Sequence, residues 1–268
     1  MKKNKKKIVC LQTTSSKDPQ KNINMLEELF AKISSKVDLI CLPECVAVFT
    51  DKRKEINFFL EKYRESFFNL ISYQAKKKKS AILVGSVPER FNDSKFVNRS
   101  YVFDDRGFQK SRYDKINLFD VNLSNTENYF ESKNYASGKK LIVSDLVWGK
   151  LGMSICYDLR FPNLYRSLGK KGAHFFSIPA AFTFTTGKAH WHSLIRARAI
   201  ENGCFVFAPA QCGVHDNGRR TYGHSMIVNP WGKVLVEAKY GKKQVISKTI
   251  NISEIQEYRK KIPSMTKF

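Results

Sequence analysis

The sequence predicts a layered α/β fold built around a mixed sheet. Short apolar runs alternate with amphipathic stretches along most of the chain, and paired runs around a Pro-Trp-Gly turn follow in the last quarter. With 268 residues, 42% of them hydrophobic, there is ample material for a core, and the length is ordinary for one layered domain.

The elements read in chain order. Residues 8–11 form an apolar strand, and Ile23, Leu26, Phe30 and Ile33 share one helical face. A buried strand over 37–42 ends at Pro43-Glu44. Residues 56–78 read as one helix with Phe59, Tyr63, Phe67, Leu70 and Ile71 near one stripe. A strand over 81–87 follows, and 99–103 pairs with the segment after the turn at 104–107. The second half continues with a strand over 151–156, a helix over 161–171, a strand over 175–179, a helix over 188–202 and a strand over 204–210. Runs at 225–229 and 234–238 flank Pro230-Trp231-Gly232 as a hairpin, and the last strand lies near 245–252. No linker or repeat divides the chain, so 1–268 reads as a single domain with a core over about 8–252. The charged tail 253–268 reads as an arm for wrapping a partner. Two stacked sheets covered by helices satisfy this burial pattern.

The formal net charge of +23 raises nucleic-acid or membrane binding as a function. The basic residues are 34 Lys and 13 Arg, however, and bidentate phosphate recognition favours Arg. The lysines are scattered apart from the runs Lys2–Lys7 and Lys76–Lys79, and no nucleic-acid motif accompanies them. The reading is therefore no nucleic acid and no membrane partner. Six cysteines in a chain of this size, with no secretory signal, indicate free thiols in a reducing cytoplasm rather than a disulfide framework. Cys41 and Cys45 lack a second pair for zinc, and His190 and His192 point to different helix faces, so neither metal nor cofactor is expected.

Three segments place reactive side chains at strand ends, where ligands usually bind in α/β folds. Cys156 closes an apolar strand and precedes the polar turn Tyr157-Asp158-Leu159-Arg160, where a helix start and a nearby cation favour thiolate character. Alone, such a cysteine is more often structural. Glu44, behind Pro43, is either a surface carboxylate or a base held in a pocket. Lys115, in the charged run 113–120, alone reads as solvated. Together the three supply nucleophile, base and cation, the set needed for acyl transfer.

Five ordered motifs then make the chain resemble the nitrilase (carbon-nitrogen hydrolase) superfamily. They are LPE (42–44), YDKINLFD (113–120), ICYDLRFP (155–162), AHWHSLIRARAIEN (189–202) and AQCGVHDNGRRTYGHSMIVNPWGKVL (210–235). The last resembles the Nit branch, which includes deaminated glutathione amidases. The resemblance implies an αββα sandwich and a Glu44-Lys115-Cys156 triad, with Glu131 of Tyr129-Phe130-Glu131-Ser132 as a further catalytic glutamate. It implies hydrolysis of an amide in a small carboxylate-bearing molecule through a Cys thioester. Deaminated glutathione is the favoured substrate, with ω-amides of α-keto acids next. A carbamoyl-amide hydrolase or a nitrilase is the alternative within the superfamily, and an idle basic scaffold for nucleic acid is the alternative outside it. Tyr157, Asp158, Arg160, Phe161, Ala180, Phe182 and Thr183 are the expected substrate-binding residues. Arg160 is read either as a bidentate carboxylate binder or as a salt-bridge partner of Asp158 or Glu201. A homodimer or larger homo-oligomer packed through 161–171 and 188–202 is expected. Two positions depart from the family pattern: Asn117 replaces a common His, and His192 a common Glu.

Overall fold

The computed structural model describes residues 4–34, 36–124 and 127–265, so Lys2 and Lys3 of the basic run and the last three residues of the tail lie outside it. The first sheet contains β1 (Lys5–Thr13), β2 (Leu39–Cys41), β3 (Ala81–Arg90), β4 (Phe96–Phe103) and β5 (Gln109–Asp114), in that order. Three helices precede β3: α1 (Pro19–Ala31) follows β1, and α2 (Arg53–Lys62) and α3 (Arg64–Lys78) follow β2. A small ribbon, β6 (Asp120–Asn122) with β7 (Asn128–Phe130), then leads to the second sheet.

That sheet begins with β8 (Val143–Leu146) and β9 (Gly149–Met153). After α4 (Pro162–Lys170) it adds β10 (Phe175–Ser177), and after α5 (Phe184–Asn202) it adds β11 (Phe205–Ala208). The chain returns to the first sheet for β12 (Ala210–Val214) and β13 (Arg220–Tyr222). The hairpin β14 (Met226–Val228) and β15 (Val234–Glu237) completes the second sheet. Finally β16 (Gln244–Asn251) pairs antiparallel with β1, and α6 (Glu254–Lys261) follows.

Alternation along the strands explains the layering. Ile8 and Cys10 of β1, Leu39 and Cys41 of β2, and Leu83 of β3 join one buried cluster with Leu151, Met153, Phe175 and Phe207 of the second sheet. Val9, Leu11, Ile40, Ile82 and Val84 belong to the other cluster, with Leu26 and Phe30 of α1 and Phe67 and Ile71 of α3. Because successive side chains point to opposite faces, these central strands pack on the second sheet with one face and on helices with the other. On the far side, Tyr165 of α4 meets Phe176 edge-on, with ring centroids 5.2 Å apart. The order of layers is helix, sheet, sheet, helix, as the resemblance implies.

Three details differ from the sequence reading. The helix expected over 56–78 is two, broken where Tyr63 takes φ −125° and ψ −13°; no proline or glycine marks the break. The strand expected to reach Cys156 ends at Met153. Cys156 has φ +49°, in the left-handed region, so the extended path cannot continue through it. The tail is not a free arm over its described part. It forms α6, whose Ile255 is buried and whose Arg259 Nη2 donates to Ala173 O at 2.8 Å. No helix among the described residues is long and apolar enough to cross a membrane.

Candidate active site

Glu44, Lys115, Glu131 and Cys156 converge from four separate segments. Glu44 follows β2, where Leu42 N–H still donates to Leu83 O at 2.8 Å. The approach there is close: a Cβ on Gly85 would fall 2.0 Å from Leu42 O and 2.3 Å from Pro43 O. Lys115 follows β5, its N–H donating to Asn98 O at 2.9 Å and its carbonyl accepting from Gly138 N–H at 2.8 Å. Glu131 opens a 3₁₀ turn after β7, and Cys156 opens another over Cys156–Arg160. The Cys156 N–H is anchored on Pro179 O at 2.9 Å.

Lys115 Nζ lies 2.9 Å from Glu44 Oε1 and 2.9 Å from Glu131 Oε2. The Lys115 side chain is only 2% exposed, and that of Glu44 4%. Asn98 Nδ2 donates to both carboxylates, at 3.0 Å to Glu44 and 3.1 Å to Glu131. The other Glu44 oxygen accepts from Ala181 N–H at 2.7 Å, and Phe119 N–H donates to Glu131 Oε2 at 2.7 Å. Every oxygen of the two carboxylates thus meets a donor, which is how charges persist in a buried site. The Cys156 thiol and the Glu44 carboxylate lie near enough for each to shift the other's protonation.

Electrostatics fixes the protonation states. Burial pushes the Glu44 carboxyl up, but the Lys115 ammonium, the Cys156 thiol and the Arg219 charge outweigh it and hold Glu44 below its usual value. Burial pushes the Cys156 thiol well up, and the Glu44 charge adds to that. Burial opposes the Lys115 ammonium, yet Glu131 and Glu44 raise it well above the usual lysine value. At neutral pH the site therefore holds a carboxylate poised beside a neutral thiol, with an ammonium close by.

A turn-fixing network supports Cys156. The Asp158 carboxylate accepts from Tyr113 OH at 2.7 Å, Ile155 N–H at 2.9 Å, and the Asn117 backbone N–H and Nδ2 at 2.9 and 2.8 Å. Asn117, the departure from the family pattern, thus supplies a side-chain donor to this network. His192, the other departure, makes a cluster elsewhere: its Nε2 and His224 Nδ1 both meet Glu237 Oε1, at 3.0 and 2.6 Å. These three side chains are close enough together to hold a metal ion, a grouping that the spacing of His190 and His192 did not reveal.

Above the thiol is a narrow cleft, with enclosed room of only about 10 Å³, lined by Phe119, Cys156, Tyr157, Ala181, Phe182, Thr183, Thr186 and Arg219. Of the residues expected to bind substrate, Tyr157, Phe182 and Thr183 are in this lining. Asp158 and Ala180 are fully buried outside it, and Phe161 packs edge-on against Tyr157 at 5.5 Å. Arg160 pairs with neither Asp158 nor Glu201. It meets His190 Nδ1 at 3.2 Å and lies over the rings of Tyr157 and Phe182. Asn98, Ala181 and Arg219 were missed by sequence reasoning. Strand register places Asn98, and only the Arg219-Arg220 pair within the motif at 210–235 hinted at the arginine.

Comparison with known proteins places the chain in a family. The carbon-nitrogen hydrolase family matches residues 7–260. The chain belongs to that family. It is therefore a carbon-nitrogen hydrolase, an amidase-type enzyme of the nitrilase superfamily. A deaminated glutathione amidase of Yersinia enterocolitica is 38% identical over 231 residues, covering 85% of this chain and 81% of the relative. An omega-amidase of Saccharomyces cerevisiae is 32% identical over 264 residues, covering 95% and 90%. Among solved structures, the Caenorhabditis elegans NitFhit protein superposes with a TM-score of 0.88 at 33% identity. That match covers 99% of this hydrolase and 65% of the larger NitFhit chain.

Proposed function

We propose that Cys156, Glu44, Lys115 and Glu131 hydrolyse the amide bond of a small carboxylate-bearing substrate through a Cys156 thioester. The observation that carries this reading is the placement of the Lys115 ammonium 2.9 Å from each of two buried carboxylates, Glu44 and Glu131, with Cys156 close enough for Glu44 to bear on its thiol. Glu44 takes the thiol proton as sulfur attacks the amide carbon. The developing oxyanion is met by the Lys115 ammonium and by a backbone N–H near Tyr157. Glu44 returns the proton to the leaving amine, which departs as ammonia from a primary amide, leaving the thioester. Glu44 then deprotonates water, the hydroxide attacks the thioester carbon, and the thiol recovers a proton as the acid leaves. Glu131 positions Lys115, and Asp158 holds the turn that presents the sulfur.

Deaminated glutathione is the favoured substrate, with ω-amides of α-keto acids next. The names of the Yersinia and yeast relatives support both. We also propose one domain over the whole chain, a cytoplasmic setting supported by six free thiols, and a homo-oligomer. Exposed Ile200 of α5 and Trp231 of the adjoining hairpin support the last.

The test is a screen of small amides with ammonia release as readout, run on wild type and Cys156→Ala. The expected result is turnover by wild type alone. Turnover by Cys156→Ala at the wild-type rate would remove the thiol from the mechanism. Carbon dioxide released with ammonia, or consumption of a nitrile, would reassign the reaction within the superfamily.

A further inference from the structure

Resting on that reading, we propose that Arg219 is the group that captures the substrate carboxylate, on the acyl side of the scissile amide. Arg219 lines the same small cleft as Cys156. Its guanidinium is fixed in place: Nη2 donates to Ala181 O at 2.8 Å, and the Cζ lies over the rings of Phe49, Phe119 and Tyr129 at 5.6, 5.7 and 4.8 Å. Its Nε–H is buried and has no hydrogen-bond partner among the described residues. A buried guanidinium donor without an acceptor is costly, and a ligand oxygen would remove that cost.

The alternatives for this task are already engaged. Lys115 is committed to Glu44 and Glu131, and its ammonium is needed beside the sulfur. Arg160 faces His190 outside the cleft lining. Arg219 therefore offers a planar, aromatic-backed guanidinium in the cleft that holds the sulfur, and this shape suits a carboxylate. Because Arg219 and Cys156 line the same small cleft, the preferred acyl group is a short acid with its carboxylate at the end remote from the amide. Ala181 links the two ends of the device, since its N–H holds Glu44 and its C=O holds Arg219. A bound carboxylate would thus seat the thioester in fixed register with the base while the amine departs.

The experiment uses two readouts on the whole chain. The first is kcat/KM for 2-oxoglutaramate relative to butyramide, in wild type, Arg219→Gln and Arg219→Lys. The preference for the acid should fall about 10- to 100-fold in Arg219→Gln, chiefly through KM, and be partly kept in Arg219→Lys. The second is alkylation of Cys156 in wild type, followed by mass spectrometry of the Cys156 peptide. Iodoacetate should outpace its intrinsic reactivity relative to iodoacetamide, and glutarate should protect the thiol where the uncharged 1,5-pentanediol does not. An unchanged substrate preference in Arg219→Gln, or equal protection by glutarate and the diol, would overturn the assignment. If wild type hydrolyses neither amide and Cys156 reacts with neither reagent, the hydrolase reading itself fails. If both reactions proceed without preference for the acid, only the role of Arg219 fails. Should Arg219→Gln not fold, the wild-type protection experiment decides alone.

Discussion

Lys115 Nζ sits 2.9 Å from Glu131 Oε2, and the same nitrogen is 2.9 Å from Glu44 Oε1. One cation thus bridges two carboxylates at a buried site. Lys115→Met should abolish turnover and lower stability by about 3–5 kcal/mol, because two buried negative charges lose their partner. Adding Glu131→Gln to Lys115→Met should restore part of the melting temperature and none of the activity. Calorimetry and ammonia release on the two proteins check this. A double variant no more stable than the single one would contradict the charge argument.

The pH profile follows from Glu44 and Lys115. Glu44 is held below its ordinary value of 4.5 by Lys115 and the neighbouring donors despite burial. As the base it must be ionised, so kcat/KM should be flat through neutrality and fall only as pH drops below about 4.5. Lys115 is raised well above 10.5, so its loss of charge should set no basic limb below that pH. An acidic limb near neutrality would mean that another group carries the proton.

His215 supplies an acid-sensitive contribution to stability. Burial lowers it to about 4 from 6.5, with Arg219 lowering it further and Ser15 and Asp216 opposing. Its ring stacks on Phe49 at 3.7 Å. Nδ1 donates to Ser15 O at 2.9 Å, and Nε2 lies 2.8 Å from the Thr221 hydroxyl, which donates to it when the ring is neutral. Between pH 6.5 and 4 the unfolded chain binds the proton that the folded chain refuses, so stability falls as pH falls across that window. The loss from this group is about 3 kcal/mol at pH 4. Urea unfolding of wild type and His215→Gln at pH 7 and pH 4.5 should show a clearly smaller pH dependence in the variant.

Gly85 tests how tightly Glu44 is placed. A methyl at Gly85 would meet Leu42 O at 2.0 Å, so Gly85→Ala must shift the segment that carries the base. Activity should drop at least 100-fold, since ångström displacements of reacting groups cost that much, with a loss of several kcal/mol in stability. Near-normal kcat in this variant would show that the segment yields without moving Glu44.

The sequence made the strands legible through alternation, and the three reactive residues through the motifs around Glu44, Lys115 and Cys156. Asn98 was not legible, because it reaches both carboxylates only through the pairing of β4 with β3 and β5. Arg219 was hidden for a related reason: it lies 63 residues beyond Cys156 in a polar turn that reads as a surface loop. The left-handed backbone at Cys156 left no mark in residue type, since glycine would be the usual signal. The α6 helix was missed because it buries only Ile255, so its apolar stripe is too thin to show periodicity.

Glu44 and Lys115 leave the first sheet, whereas Cys156 and Ala181 leave the second. Neither half carries a competent site by itself. During refolding, the strands and helices of each layer can form on local contacts while the enzyme is still inert. Catalysis appears only when the layers dock face to face and residues 137 positions apart come into register. Recovered turnover therefore times the last assembly step, and in mild denaturant it should vanish before the circular dichroism of the backbone changes.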